Sequence, residues 1–354
     1  MNKSYRPGVY SRYDIIGRPA LKAAGCAFFC GAAKINPQKS LPVGEVVQLQ
    51  SQAQLEEYFE PQGEGETFCN LCSILLSSGV SKLYAVPLTA DGSKAKPEQY
   101  PAAFAKLGAV KQSGVMLCDS GEREIIGKLT QAAADASQKQ RERIAVAATD
   151  KATAAQTARE ENNERLVLCC QKGKSVFFSQ ELPIVTAAAI AGMIAAAKPD
   201  DSFYYRPIKL LERTEELEEE QIEQMIQSGV TVLEEGTSGT ECICCVTTRT
   251  RSGGEEDRSF TQINTVLMID DIIRSVRERL SQLIRGGRTL FSPDSVASLA
   301  AVVLDEKKPG GILSEFEPPV VYEQEQDPSV CVVELEFRLV SVLSRIYLTA
   351  HISL

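Results

Sequence analysis

The segment VCVVELEFRLVSVLSRIYLTAHISL, residues 330–354, decides how the rest of the chain is interpreted. Apolar and polar side chains alternate along it to Leu339, and after a short break they alternate again from Ile346 to Leu354. Successive side chains of a strand point to opposite faces of the sheet, so this period of two predicts strands with one buried face. The apolar residues of the first run are Val333, Leu335, Phe337 and Leu339.

A strand in this position needs a partner. Its free N–H and C=O groups form an open edge, which recruits other chains unless something covers it. Two solutions remain open from these residues alone. A neighbouring strand of the same subunit covers the edge, or a neighbouring subunit adds a strand to it.

Length and composition limit the possible functions. A chain of 354 residues predicts two domains, and 44% hydrophobic with 24% charged residues is typical of a globular protein. The formal charge of −9 disfavours binding to nucleic acid or to an anionic membrane, since both need a basic surface. We therefore expect no nucleic-acid partner.

The sequence predicts no membrane insertion. Residues 1–14 lack the apolar core of a signal peptide, and the Ala-rich run 182–197 is short for a bilayer span. We expect a soluble protein that is intracellular when made. Its 11 cysteines lie scattered through apolar runs, which favours buried free thiols over a disulfide framework.

The N-terminal residues 1–20 predict an extended basic arm. Prolines and glycines interrupt it, no helical period is present, and Asp14 is outnumbered by cations. Strand-forming residues within GVYSRYDII are too few to build a core, so this segment also needs an external partner. The cations are Lys3, Arg6, Arg12 and Arg18.

Residues 21–230 predict an α/β domain, because short apolar strands alternate with longer helical segments. The predicted strands are 27–33, 46–49, 82–88, 115–118, 144–149, 166–171 and 175–178. The predicted helices are 52–59, 66–77, 97–107, 122–141, 152–164, 183–197 and 215–227.

Residues 231–340 predict a second, α+β domain, followed by a C-terminal arm at 341–354. A Gly-containing turn at 235–240 indicates a hairpin. A helix with one apolar face follows at 262–284, and a second helix at 293–305 begins after a possible Ser292 cap. We expect a loop after Gly310 and Gly311, and then the two terminal strands.

Three pieces of the sequence share a pattern: SYRPGVY at 4–10, the strand and hairpin residues 229–236 with TTRT at 247–250, and the terminal run 341–354. Together they resemble the tail sheath protein of contractile phage tails and related contractile bacteriocins. The resemblance covers the two termini and the region from Gly229 onward. Over the middle of the chain only a compatible α/β pattern is present.

The resemblance implies a fold and a way of assembling. It implies an α/β outer domain, an α+β inner domain, and extended terminal arms that add strands to the sheet of another subunit. In this sequence the N-terminal exchanging residues would be Val9, Tyr10, Ser11, Arg12 and Tyr13. The C-terminal ones would be Ile346, Tyr347, Leu348, Thr349, Ala350, His351 and Ile352.

The resemblance also implies a task. Sheath subunits stack as rings around an inner tail tube, in contact with a baseplate and a tail terminator, and contract from a metastable extended state to drive the tube through a cell envelope. The particle would be a released phage tail or a bacteriocin. No cofactor is implied, and the sequence contains neither a P-loop nor a GxGxxG between a strand and a helix.

The alternative is a stand-alone α/β enzyme or binding domain with unpaired terminal strands. A catalytic triad needs a histidine base, and the only histidine is His351 in a predicted strand, so we expect no catalytic residues. Cys69 and Cys72, like Cys26 and Cys30, lack the turn residues of a zinc knuckle, and we expect no metal site.

Two charged segments are candidate contact surfaces. The acidic run 215–223 is interpreted as a solvated helix, or else as a face that meets the basic arm of a neighbour. A basic stripe in the inner domain is a candidate surface toward the tube or another subunit. It comprises Arg274, Arg277, Arg279, Arg285 and Arg288.

Overall fold

The computed structural model describes residues 25–61, 63, 66–237, 239–285, 292–325 and 327–341. Its helices are α1 (Gln52–Tyr58), α2 (Glu66–Ser77), α3 (Gln99–Ala109), α4 (Arg123–Gln138), α5 (Lys151–Glu161), α6 (Pro183–Ala196), α7 (Glu219–Gln227), α8 (Ile263–Arg285) and α9 (Pro293–Lys307).

The strands before residue 230 are β1 (Cys26–Gly31), β2 (Val47–Leu49), β3 (Lys82–Pro87), β4 (Gly114–Cys118), β5 (Arg143–Ala148), β6 (Leu166–Cys169), β7 (Gly173–Ser175), β8 (Phe178–Leu182), β9 (Arg206–Pro207) and β10 (Leu211–Thr214). The later strands are β11 (Val230–Gly236), β12 (Gly239–Cys244), β13 (Arg251–Ser252), β14 (Glu255–Glu256), β15 (Leu313–Phe316), β16 (Val320–Gln324), β17 (Asp327–Glu334) and β18 (Phe337–Leu339).

A large mixed sheet organises the chain up to residue 244. Among the described residues its strand order is β2-β3-β1-β4-β5-β6-β11-β12-β9, and the run from β3 to β11 is parallel. Parallel strands that are covered on both faces need apolar side chains throughout, and β1 and β5 are accordingly buried at every residue. The predicted α/β pattern of the middle of the chain is confirmed.

Helices cover both faces of this sheet. The first face carries α1, α2 and α6, and the second carries α3, α4, α5 and α7. Phe29 lies in the first core and Phe28 in the second, both without solvent exposure. Burying one such side chain contributes roughly 1.5–3 kcal/mol, so adjacent residues of a single strand hold both layers.

The Ala-rich segment forms α6, as predicted. Every side chain of α6 from Ile184 to Ala195 is buried, which leaves out only its first and last residues. A helix that is apolar all round lies inside a protein or a membrane. Here α6 packs between α2 and the sheet, and among the described residues no helix is long and apolar enough to cross a bilayer.

The hairpin predicted near residue 236 forms from β11 and β12, but it lies in the large sheet. Val230 pairs with Leu168 of β6 in parallel, so β11 continues the α/β order. The local, antiparallel pattern of this hairpin predicts a place in the C-terminal domain, and this prediction is not what the pairing shows. The domain boundary after residue 230 stays a prediction. The pairing of β11 with β6 joins strands from both sides of that boundary in one sheet.

The elements from α8 onward form a small unit with its own core, which we call the C-terminal unit (α8, α9 and β15 to β18). Before it, β10, β7 and β8 form a three-stranded sheet, and β13 and β14 form a short hairpin. The centre of the C-terminal unit contains Ile272, Ala300 and Leu304. The Ser292 hydroxyl accepts a hydrogen bond from the Ser295 N–H, which confirms the predicted cap of α9. The prediction of a loop after Gly311 is wrong, since β15 and β16 occupy residues 313–316 and 320–324.

Candidate assembly surface

The C-terminal unit exposes two small sheets. β16 and β17 form one antiparallel hairpin, and β15 pairs with β18 to form the other sheet. Within the described residues neither sheet has a third strand. A two-stranded sheet is marginal by itself and leaves backbone donors and acceptors on both outer edges, so each is a site where another strand can add.

The alternation in the C-terminal sequence is present, but it is divided between the two sheets. Val333, Leu335, Phe337 and Leu339 are half-buried against the core of the C-terminal unit, while Glu334, Glu336 and Arg338 are exposed. One strand was predicted across this run. The structure has β17 up to Glu334 and β18 from Phe337, because the two parts pair with different partners.

Apolar side chains remain uncovered beside these edges. Val320 is 56% exposed and Tyr322 is 44% exposed, both on β16, and Val340 after β18 is 38% exposed. Scattered exposed apolar residues are ordinary, but a group of them next to open backbone edges is typical of a contact surface. We call β16, β17 and these side chains the open hairpin.

Ion pairs anchor the C-terminal unit to the large sheet through α8. Arg165, which precedes β6, donates both terminal nitrogens to the two carboxylate oxygens of Asp270, with Nη2 lying 2.7 Å from Oδ1. The exposed fractions of the two side chains are 17% and 10%. Burial raises the pKa of Asp270, and the hydrogen bond from Arg165 offsets part of that effect.

A second ion pair joins α8 to the large sheet, next to the start of β5. Arg277 Nη2 donates to Glu142 Oε1 at 2.6 Å, and Ser113 Oγ lies 3.0 Å from Glu142 Oε2. Burial by itself would raise the pKa of Glu142. The hydrogen bond and charge of Arg277, together with hydrogen bonds from the backbone and from Ser113, outweigh burial and hold this pKa below its usual value.

Asp271, which follows Asp270 in α8, binds a cation of α9 instead. Lys307 Nζ of α9 lies 2.5 Å from Asp271 Oδ2, and the exposed fractions of these side chains are 11% and 7%. Neighbouring acidic residues of one helix thus bind cations from two different parts of the chain. Through them α8 connects the large sheet to α9 and the small sheets.

The predicted basic stripe is engaged within the subunit where it is described. Arg277 binds Glu142, Arg274 binds Asp271, and Arg279 binds Glu306. Arg288 and the side chain of Arg285 lie outside the described residues. A tube-facing role for this stripe stays a prediction, and these pairs show what else the cations do.

The predicted strand-exchange residues lie outside the described residues. This holds for Val9 to Tyr13 in the N-terminal arm and for Ile346 to Ile352 in the C-terminal arm, which includes His351. The open hairpin is the functional element that sequence reasoning missed. Its signal was the short run of strand-forming residues from Val320 to Tyr322, which follows Pro318 and Pro319.

The cysteines behave as packing residues. All except Cys331 are buried, and Cys331 lies exposed on β17. Burial raises the pKa of the Cys69 thiol to about 12, and it raises that of Cys72 as well. No group of three or more His, Cys, Asp or Glu side chains in the described part of the chain is arranged to hold a metal ion.

The large sheet and the C-terminal unit together define the fold of the sheath proteins of contractile tails. The sheath tail protein of Listeria innocua is 11% identical, with a TM-score of 0.71 over 90% of this chain and 92% of that chain. The helical sheath of the anti-feeding prophage in its contracted state is 13% identical, with a TM-score of 0.71 over 99% of each chain.

A third similar structure is the sheath complex of an extracellular contractile injection system, PVC, in its contracted state. It is 13% identical, with a TM-score of 0.68 over 99% of this chain and 98% of that chain. No family model and no curated protein matches the sequence. The predicted likeness to sheath proteins is therefore confirmed at the level of the fold.

Proposed function

We propose that this chain is the structural subunit of a contractile tail sheath. It polymerises as stacked rings around an inner tube and contracts from a metastable extended state to drive that tube through a target envelope. The observation that carries the proposal is the sheath-protein fold over the full length, combined with a C-terminal unit whose sheets end in open edges.

The terminal arms complete those edges in other copies of the chain. Residues 9–13 of one subunit and 346–352 of another add as strands to the open hairpin of a third. Backbone hydrogen bonds then link the subunits, while each globular body stays free to pivot on its neighbours during contraction. The exposed Val320 and Tyr322 become covered when the strands add.

The other partners follow from the same task. We propose contacts with an inner tail tube protein, a baseplate and a tail terminator, and assembly in the bacterial cytoplasm before release as a phage tail or bacteriocin particle. No catalytic step belongs to this function, because the work derives from the energy difference between two arrangements of the same subunits. The alternative of an α/β enzyme has no supporting residue constellation in the described part of the chain.

Electron microscopy of the purified protein tests the proposal. We expect hollow, striated cylinders from the full chain. Variants that lack residues 1–17 or residues 345–354 should keep a folded body and lose the cylinders. A full chain that stays monomeric at high concentration would contradict the proposal.

Leu348→Pro tests the strand-addition step. Proline removes a backbone N–H from the C-terminal arm, so polymerisation should stop while the midpoint of thermal unfolding changes little. Leu348→Ile is the matched control, because it keeps the N–H and a similar volume. Normal cylinders from Leu348→Pro would mean that this arm does not pair through its backbone.

A further inference from the structure

The layer of helices on the second face of the large sheet has an unequal distribution of charge between its two ends. On this face α3 lies over β3 and β1, and its neighbour α4 lies over β4 and β5. Next to them α5 lies over β6 and β11, and α7 lies beside α5 over β11. An ion pair between Arg123 and Glu160 joins α4 to α5. The layer therefore runs α3, α4, α5, α7, with α3 and α7 roughly 20–25 Å apart at the strand spacing.

An apolar groove lies at the α3 end. It has a volume of about 340 Å³ between α3 and α4, and small residues form its floor. The floor residues are Ala105, Gly108, Ala109, Ala132 and Ala136. Small side chains leave the two helix backbones close to the surface, so a third helix can lie between them as a ridge in a groove.

Three cations and one carboxylate, that of Asp135, line this groove, so its rim has a net positive charge. Lys128 and Lys139 stand eleven residues apart on α4 and at its C-cap, which is about three turns and about 16 Å on the same face of the helix. Lys139 is exposed, and Lys128 is 40% exposed and makes an ion pair with Glu124, one turn earlier on α4. Arg141 adds a third cation, whose Nη1 donates to the Gly108 carbonyl at 2.8 Å.

The α7 end of the layer has the opposite charge. Glu219, Glu220 and Glu223 are exposed on one face of α7, while Ile222 and Met225 on the other face are buried. None of these three carboxylates makes an ion pair with a described side chain. Two cations near the C-terminal end of α7, Arg159 and Arg258, donate instead to the Ser228 hydroxyl and the Gln227 carbonyl.

We propose that α7 of a second copy of this chain lies in the groove between α3 and α4, with its carboxylates beside Lys128 and Lys139. The two surfaces are at opposite ends of one subunit, so the contact is heterologous and repeats from copy to copy. It is a lateral contact of outer domains, separate from the strand addition at the open hairpin. The inference rests on the proposed self-assembly of the chain.

The groove and the helix match in size as well as in charge. α7 has 9 residues and is about 13–14 Å long, so it fits along the groove between Lys128 and Lys139. Its carboxylates from Glu219 to Glu223 span about 6 Å, and the long lysine side chains reach toward them from either end. A contact of exposed charges over a small apolar floor stays weak for each copy and sensitive to salt. It is suited to an interface that must rearrange when neighbouring subunits move.

Charge reversal tests the pairing. The variants are Lys128→Glu with Lys139→Glu, Glu219→Lys with Glu223→Lys, and the combination of all four changes. Each pair alone should raise the critical concentration for sedimentable assemblies about fivefold to tenfold. The combination should restore it, and the control Lys96→Glu with Lys209→Glu, at exposed lysines outside the groove, should leave it unchanged.

Cross-linking provides a readout that does not need complete cylinders. In a Cys331→Ser background, which removes the exposed native thiol, Lys139→Cys protein is mixed with Glu223→Cys protein and oxidised. We expect a disulfide-linked heterodimer, and none from Lys96→Cys with Glu223→Cys. Cylinders that form without this cross-link, or combined reversals that fail to restore assembly, would overturn the proposed contact and leave the sheath function standing. Failure of the unaltered chain to assemble would instead contradict the sheath function.

Discussion

The large sheet and the C-terminal unit differ in how their strands are covered. The large sheet has helices on both faces, and its central strands are buried at nearly every residue. The small sheets of the C-terminal unit each pack one face on a small core and have no third strand among the described residues. The comparison teaches that the part of the chain with the large closed core is separate from the part that we propose for assembly.

The link between them is a helix with charges on two sides. α8 holds Arg165 and Glu142 at the base of the large sheet and Lys307 of α9 at the other side. Buried ion pairs are specific in geometry more than they are stabilising, because desolvation cancels much of their attraction. They fix the orientation of the open hairpin relative to the body that carries it.

The largest expected change in stability comes from the core of the large sheet. Phe29→Ala removes an unexposed ring that packs on Phe68 at 5.1 Å between centroids, and should lower the free energy of unfolding by about 3–5 kcal/mol. Denaturant unfolding measures it. Phe177→Ala, at a side chain 38% exposed in the β7–β8 turn, should change it by less than about 1 kcal/mol. Equal losses would contradict the assignment of stability to the large sheet.

A somewhat smaller effect is expected where the two regions join. Arg165→Met leaves Asp270 buried without its partner and should lower the free energy of unfolding by about 3 kcal/mol. Adding Asp270→Leu removes the stranded carboxylate, so the double variant should recover most of the loss. If the single variant is as stable as the unaltered chain, the pair does not hold α8 in place.

The smallest effect concerns pH. The pKa of Glu142 lies below its usual value of 4.5 in the folded chain, so its contribution to stability is present above pH ~4.5 and is lost as pH falls through the folded pKa. Arg277→Met removes the cation and leaves burial to raise this pKa. The variant should be about 1–2 kcal/mol less stable at pH 7, and the difference should shrink on acidification toward pH 4.5.

Denaturant unfolding of both proteins across pH 4–7 measures this difference. Glu142→Gln is the control, since it removes the titrating carboxyl. With this change added, the chain with Arg277 and the Arg277→Met variant should lose stability with pH by the same amount. A difference that stays constant between pH 7 and pH 4.5 would show that Arg277 does not act through the charge of Glu142.

The sequence predicted the elements that depend on local pattern. Apolar strands such as β5 and the capped helix α9 follow from periodicity, Pro293 and Ser292. The pairing of β15 with β18 joins residues more than 20 positions apart, and no local pattern encodes it. The same holds for Arg277, whose partner Glu142 is 135 residues away.

Strand exchange by the terminal arms stays a prediction. The alternation after Val330 correctly predicted strands with one half-buried face, and both parts of the described run pair with strands of the same subunit. It could not indicate that the run divides at Leu335, because the division depends on where β15 and β16 return. Those strands follow Gly311 and Pro319, and the turn residues favoured a loop.

The central claim is that other copies of the chain complete the open hairpin. Amide hydrogen exchange of β16 and β17 tests it most directly, in the assembled full chain and in the variant that lacks residues 345–354. We predict at least about tenfold slower exchange in the assembled state for these strands, with little change in β1. Equal exchange of the hairpin in both states would contradict the claim.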